Sequence, residues 1–204
     1  GAVPARRLES AVGATIPQAL RFINAGVQKM ESLLAGLLRY SRLGRVALQI
    51  RPLNVNGVLT EILAAMRFQL DEAGARVSVE PLPVCRADHA QTSQVFANLL
   101  DNALKYRRPD RPLRITVTGR VVGGEAIYAV ADNGIGIAPE HQAKVFEMFH
   151  RLDPEATSGE GLGLAIAQRV LERQQGRIWV ESTAGEGSIF HLSLPALDGA
   201  ASPP

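Results

Sequence analysis

The chain has 204 residues, 46% apolar and 21% charged, enough to bury a core for one good-sized domain with an appendage or for two small domains, and too few for two large ones. That balance excludes a disordered or collagen-like chain, and the formal charge of +2 (22 Lys and Arg against 20 Asp and Glu) supplies no drive toward nucleic acid or an anionic membrane. Cys85 is the sole cysteine, which excludes an internal disulfide and a multi-cysteine zinc site, and the scattered His89, His141, His150 and His191 form no ligand pair.

No apolar run reaches the ~20 residues of a membrane span and no signal-peptide pattern opens the chain, so a cytoplasmic setting is expected. A first residue of Gly rather than Met suggests a piece of something longer. Residues 5–14 read as a weak helical piece. From 17 to 43 a helix is predicted, with Pro17 in its first turn and Thr15 as a cap. Its apolar residues Leu20, Ile23, Val27, Met30, Leu34 and Leu37 alternate in steps of three and four, the repeat of a coiled-coil seam that wants a partner helix.

Composition changes at Gly44. Leu48 to Leu53 reads as a strand, Asn54 caps a helix to about Glu72, and Gly74 ends it before a strand from Arg76 to Glu80. A long helix follows from Asp88 to Tyr106. Strands Leu113 to Val122 and Ala126 to Ala131 form a hairpin through Gly123 and Gly124. After a glycine-rich region, a helix from Gly161 to Gln174 leads to strands Arg177 to Glu181 and Ser188 to Leu194, turned at Ala184 to Gly187. The predicted class is α+β: a two-layer sandwich, one mixed sheet covered by helices on one face, preceded by a coiled-coil-type helix. The tail beyond Pro195 is expected to be loose.

Three segments carry chemistry. On the long helix Asn98, Asn102 and Lys105 fall at i, i+4 and i+7, sharing a face about 60° wide opposite Val95, Phe96, Leu99, Leu100, Ala103 and Leu104. Carboxamides and an ammonium on such a rim suit a hard cation and a phosphate, although a polar face is also what any amphipathic helix shows. Asp132-Asn-Gly-Ile-Gly-Ile follows an apolar strand directly. A carboxylate there can accept from an exocyclic amine, with glycines allowing close approach to a flat ring; a plain turn remains the alternative. Gly159-Glu-Gly-Leu-Gly-Leu then enters a helix, where backbone N–H groups and the helix dipole make an anion site. It is neither a Rossmann fingerprint nor a P-loop.

Asn98 and Asn102 with Lys105 and Tyr106, then D-N-G-I-G-I, then Phe146 and Phe149, then G-E-G-L-G-L, resemble in that order the N box, first glycine box, F box and second glycine box of the GHKL ATPases, and specifically the ATP-binding domain of sensor histidine kinases. The resemblance runs from about Leu48 to Pro195. It implies ATP and Mg²⁺ as ligands. Asn102 would hold the metal, Lys105 and Tyr106 would contact the phosphates and the ribose or adenine region, and Asp132 would bind the adenine amine in a pocket shaped by Gly134, Gly136 and Ile137. Residues from about Ala138 to Ser158 would form a lid pinned by the buried rings of Phe146 and Phe149. Gly159, Gly161, Leu162, Gly163 and Leu164 would line the phosphates, and Ser188 would close the pocket. Hydrolysing relatives carry a water-activating Glu where Asn98 stands. Its neutral amide takes no proton, so the resemblance is to the kinase version, in which a protein histidine is the nucleophile.

The segment M-E-S-L-L-A-G-L-L-R-Y-S-R-L-G-R resembles the second helix of the dimerisation and phosphoacceptor hairpin. The acceptor helix is missing, and no histidine precedes His89. The expected organisation is therefore a partial dimerisation helix over 1–46, an ATP-binding domain over 47–197 and a tail over 198–204. Such a fragment would bind ATP without autophosphorylating. Its expected partners are the hairpin of the same kinase, a response regulator receiver domain and a second copy of the chain. The alternative is a nucleotide-gated adaptor or degenerate kinase acting through dimerisation. The basic run Lys105 to Arg114 reads as a solvated face beside a phosphate site, not as a nucleic-acid patch.

Overall fold

The computed structural model describes residues 16–43, 47–151 and 161–197. The chain divides into two compact units, Gly1–Arg45 and Val46–Pro204. The first contains helix α1 (Ile16–Leu43), beginning one residue ahead of Pro17. Its seam residues Leu20, Ile23, Val27, Met30 and Leu34 are all exposed. Thr15 and residues 5–14 lie outside the described residues, as does the tail from 198.

The second unit contains β1 (Arg51–Asn54), α2 (Val55–Ala65), α3 (Arg67–Glu72), β2 (Arg76–Val79), β3 (Val84–Ala87), α4 (His89–Lys105), β4 (Arg114–Val122), β5 (Glu125–Asp132), α5 (Pro139–Gln142), a 3₁₀ turn (Lys144–Phe146), α6 (Gly163–Arg173), β6 (Arg177–Thr183) and β7 (Gly187–Pro195). A five-stranded sheet runs β2-β4-β5-β7-β6, with β2 parallel to β4 and all other neighbours antiparallel. This is the expected mixed sheet with helices against it. The first predicted strand does not join it. β1 pairs instead with β3, which periodicity had not suggested, in a separate two-stranded sheet.

Local chemistry explains the elements. Asn54 caps α2 by accepting from the Asn56 N–H at 3.1 Å. The predicted single helix to Glu72 is two helices, because Met66 (φ −92°, ψ 3°) leaves the helical region between them. Gly74 at φ +58° stops α3 as expected, in a left-handed conformation that costs a Cβ-bearing residue energy. Gly123 (φ +58°) and Gly124 (φ +83°) form the two-residue turn between paired Val122 and Glu125, as a hairpin with the sheet's twist requires.

Asp88 caps α4. Its Oδ1 accepts from the Gln91 N–H (3.0 Å) and Oδ2 from the Gln49 N–H (2.8 Å), while its own N–H donates to Gln174 Oε1 (2.6 Å). One sheet face, carrying Ala126, Tyr128 and Val130 opposite Leu194, Leu192 and Phe190, is buried. Phe96 of α4 meets Tyr128 edge to face at 5.8 Å. Fully burying each such large side chain is worth roughly 1.5–3 kcal/mol, and that burial locks α4 across the sheet with its polar rim outward.

Candidate nucleotide site

Helix α4 is the spine of the site. Val95, Phe96, Leu99, Leu100, Ala103 and Leu104 are buried, so Asn98, Asn102 and Lys105 emerge half-buried along one edge. Asn98 Nδ2 donates to the Gly163 carbonyl at 3.0 Å, joining α4 to the start of α6 across 65 positions. A carboxylate at 98 has no proton to donate there. Among the described residues the Asn102 carboxamide has no side-chain hydrogen-bond partner. Lys105 Nζ lies 2.8 Å from Asp101 Oδ2. A partly exposed pair of this kind is worth about 0–1 kcal/mol, so an arriving phosphate can draw the ammonium away.

At the end of α4, the Tyr106 carbonyl accepts from the Ile135 N–H at 2.9 Å, joining the helix to the Asp132 run. Asp132 is the last residue of β5, opposite Ile115 on one side and Ser188 on the other, so its side chain leaves the sheet where the ladder stops. Its Oδ1 accepts from the Gly134 N–H at 2.7 Å. Burial pushes the carboxyl above its ordinary value, while the backbone N–H groups of Gly134 and Ser188 and the Arg111 charge act in the other direction. Ser188 is buried, with its hydroxyl 2.9 Å from that of Ser182.

The glycines of this run are small for a reason other than ring approach. A Cβ on Gly134 would stand 2.5 Å from the Tyr106 oxygen, and one on Gly136 (φ +69°) 2.0 Å from the Thr183 oxygen. The chain's own backbone fills both spaces. Ile137 is buried and donates its N–H to Ser182 Oγ at 2.8 Å.

Beyond Ile137 the chain makes α5 and the 3₁₀ turn, small pieces of structure within the predicted lid. Phe146 is half-buried. Phe149 departs from the expectation of a buried ring: it is 42% exposed. Its anchor is backbone, since Phe149 has a left-handed φ of +66° and its N–H donates to the Gly161 carbonyl at 2.9 Å. Gly161, at φ +69°, has no room for a Cβ beside the His150 oxygen (2.8 Å). The two stems of the lid are thus stitched together. Gly159 and the rest of 152–160 lie outside the described residues.

Leu162 is buried, Leu164 half-buried, and Gly163 opens α6. A Cβ on Gly163 would meet nothing nearer than Asn98, at 3.7 Å or more. Among the described residues none comes close enough to require a glycine there. Among the described residues, an ionisable acceptor at a strand end, a carboxamide without a side-chain partner and a bare helix start along one edge of α4 fit a metal-complexed purine nucleotide. Among the described residues no cluster of three or more His, Cys, Asp or Glu could hold a metal alone.

Three residues that organise this site were not singled out from sequence. The Arg111 guanidinium reaches the carbonyls of Asn133 (2.8 Å), Gly134 (3.0 Å), Gly185 (3.2 Å) and Glu186 (2.8 Å). The basic run is therefore not wholly a solvated face, because Arg111 turns inward to satisfy a convergence of carbonyls. Ser182 Oγ links Ile137 to the Gly187 carbonyl (2.7 Å), and Gln142 Nε2 bridges the Ile137 and Ser182 carbonyls (3.1 and 2.8 Å). Only the density of Arg and Pro between 107 and 114 hinted at any of this.

Comparison with known proteins supplies an independent line. Residues 87–198 match the family described as histidine kinase-, DNA gyrase B- and HSP90-like ATPase. The chain is 34% identical over 190 residues to cyanobacterial phytochrome A of Nostoc sp., covering 93% of this chain and 25% of the relative. It is 39% identical over 178 residues to the methanogenesis regulatory histidine kinase FilI of Methanothrix harundinacea, covering 86% and 20%. Among solved structures, full-length ShkA in complex with AMPPNP superposes with TM-score 0.72 at 28% identity, over 92% of this chain and 40% of that one. The mycobacterial sensor histidine kinase MprB gives 0.62 at 28%, over 72% and 98%. The chain spans about a quarter of the length of the curated relatives it matches. Among the described residues no helix is long and apolar enough to cross a membrane.

Proposed function

The chain belongs to the histidine kinase-, DNA gyrase B- and HSP90-like ATPase family, and from that premise we propose that it is the ATP-binding catalytic portion of a two-component sensor histidine kinase, working in the cytoplasm. Its reaction is transfer of the γ-phosphate of Mg-ATP to a histidine on a dimerisation hairpin outside these residues. One observation carries the reading: α4 is tied at Asn98 to the second glycine segment (3.0 Å) and at Tyr106 to the first (2.9 Å), so stretches far apart in sequence line one edge of one helix.

In this reading Asp132 accepts from the adenine amine, with the Gly134 to Ile137 backbone as the pocket wall and Ser188 beneath it. Lys105 and Tyr106 face the phosphates and ribose, and Asn102 is the protein ligand of Mg²⁺, which when bound would neutralise phosphate charge. Gly159, Gly161 and Gly163, with Leu162 and Leu164, bring the start of α6 to the phosphates, under a lid held at Phe146 and Phe149. Asn98 keeps the two halves in register and cannot act as a base toward water. The protein's contribution is positioning and charge neutralisation, which is most of what phosphoryl transfer needs. The organisation proposed is a dimerisation helix over 1–46, the ATP-binding domain over 47–197 and a tail over 198–204. A receiver domain is the proposed downstream partner; the solved complex of the kinase ThkA with the response regulator TrrA, a fold relative, is of that kind.

The test supplies radiolabelled ATP and magnesium together with a separate dimerisation hairpin carrying the acceptor histidine. Acid-labile label on the hairpin, lost when Asn102 becomes Asp, is expected. AMPPNP binding by calorimetry without any label would leave the nucleotide-gated adaptor, and no binding heat at all would remove the nucleotide reading.

A further inference from the structure

Arg111 lies outside the four sequence segments that define the site, yet its guanidinium reaches four backbone carbonyls beside it. Its Nε donates to the Asn133 carbonyl, and its Nη2 faces the carbonyls of Gly134, Gly185 and Glu186, all between 2.8 and 3.2 Å. Two of those oxygens belong to the segment that follows Asp132, and two belong to the turn between β6 and β7. The Gly185 N–H closes the same junction by donating to the Ile135 carbonyl at 2.6 Å. Four carbonyl dipoles converging on one point need a cation with several donors in a plane, which arginine has and lysine lacks. Arg108 reinforces the turn from outside, donating to the Gly185 carbonyl at 2.9 Å while its remaining nitrogens hold Asp110.

We propose that Arg111 is a positioning residue for base selection: by clamping the Asn133–Gly134 backbone to the Gly185–Glu186 turn, it sets the wall beside Asp132 at the distance and angle that admit adenine and exclude guanine. The inference rests on the adenine site proposed above. Adenine offers an amino donor to the Asp132 carboxylate, whereas guanine offers a carbonyl at the corresponding position. Discrimination therefore depends on the carboxylate and the adjoining glycine backbone staying in fixed register. The Asp132 carboxylate accepts from the Gly134 N–H, and the Gly134 carbonyl is in turn held by Arg111, so the register of the carboxylate is tied to the clamp. The Arg111 charge also favours the ionised carboxylate against burial.

Arg111→Gln and Arg111→Lys would be compared with the parent for binding of AMPPNP and of the guanine analogue GMPPNP, with folding followed by thermal unfolding. The parent should prefer the adenine analogue. In both variants its affinity should fall about tenfold, on the scale of lost hydrogen bonds to a charged group, while GMPPNP binding changes little, so the preference narrows. Lysine, keeping the charge without the fork, should not restore it. A parent that binds neither nucleotide refutes the site itself. A parent that prefers AMPPNP beside folded variants with undiminished preference refutes the role of Arg111, as does a uniform loss for both bases. If neither variant folds, the clamp serves the fold and the inference is likewise overturned.

Discussion

Asp132 meets two opposed requirements. A buried carboxyl resists ionisation, and here desolvation outweighs the help from the Gly134 and Ser188 N–H groups and from Arg111, leaving the group above its ordinary value. The native state thus holds its proton more tightly than the unfolded chain does. By linkage, Asp132 lowers stability at neutral pH, and the penalty is relieved as pH falls through the native value. Adenine recognition has the opposite dependence, since the amine needs an ionised acceptor and binding fades over that same fall. Asp132→Asn should therefore weaken AMPPNP binding by roughly 1–3 kcal/mol while leaving the melting temperature at pH 7 unchanged or raised, because an amide oxygen still accepts from Gly134. Titration calorimetry paired with thermal unfolding separates the two; a fall in both, or in neither, would remove Asp132 from the role given to it. The residues of this kind were legible in sequence because their spacing on α4 and their place at the end of β5 are local properties. Arg111 was not, since the four oxygens it serves come from segments separated from it by 22 to 75 positions.

Among the connecting segments, two glycines that look alike in sequence have different duties. Gly136 sits at φ +69° with the Thr183 oxygen where its Cβ would be, whereas Gly163 opens α6 with none of the described residues closer than 3.7 Å. Gly136→Ala combines a left-handed backbone with a clash and should cost at least ~2 kcal/mol of stability. Gly163→Ala should be neutral or stabilising by up to ~1 kcal/mol, since alanine favours helix, yet weaken nucleotide binding by crowding the phosphates. Chemical denaturation and AMPPNP titration of both variants check the contrast; equal effects on folding, or unimpaired binding by the second, would contradict it. The hairpin at Gly123–Gly124 and the cap at Asp88 were readable because turn and cap chemistry is carried by the residues themselves. β3 was not, being four residues preceded by Pro81 and Pro83 and paired with β1, 33 positions away at its start. Nor was the break at Met66, where no proline or glycine signals one.

For the molecule as a whole, α1 carries an exposed apolar stripe: Leu20 is 53% exposed, Ile23 60%, Met30 58% and Leu34 61%. Burying a large aliphatic side chain is worth roughly 1.5–3 kcal/mol, so four such residues meeting their counterparts favour association. Self-association through α1 is the expected result. Sedimentation velocity at high concentration should show a dimer that Ile23→Glu with Leu34→Glu converts to monomer; a parent that stays monomeric throughout would count against this role for the stripe. Sequence alone determined the kind of the longer elements, the heptad stripe and the residues aligned on α4, because period, capping and turn preference act over a few neighbouring positions. Tertiary structure decided which strand pairs with which, that Phe149 is held by backbone while its ring stays exposed, and that Arg111 gathers four carbonyls. Those outcomes depend on atoms brought together only when the sheet closes, and no local pattern encodes that distance.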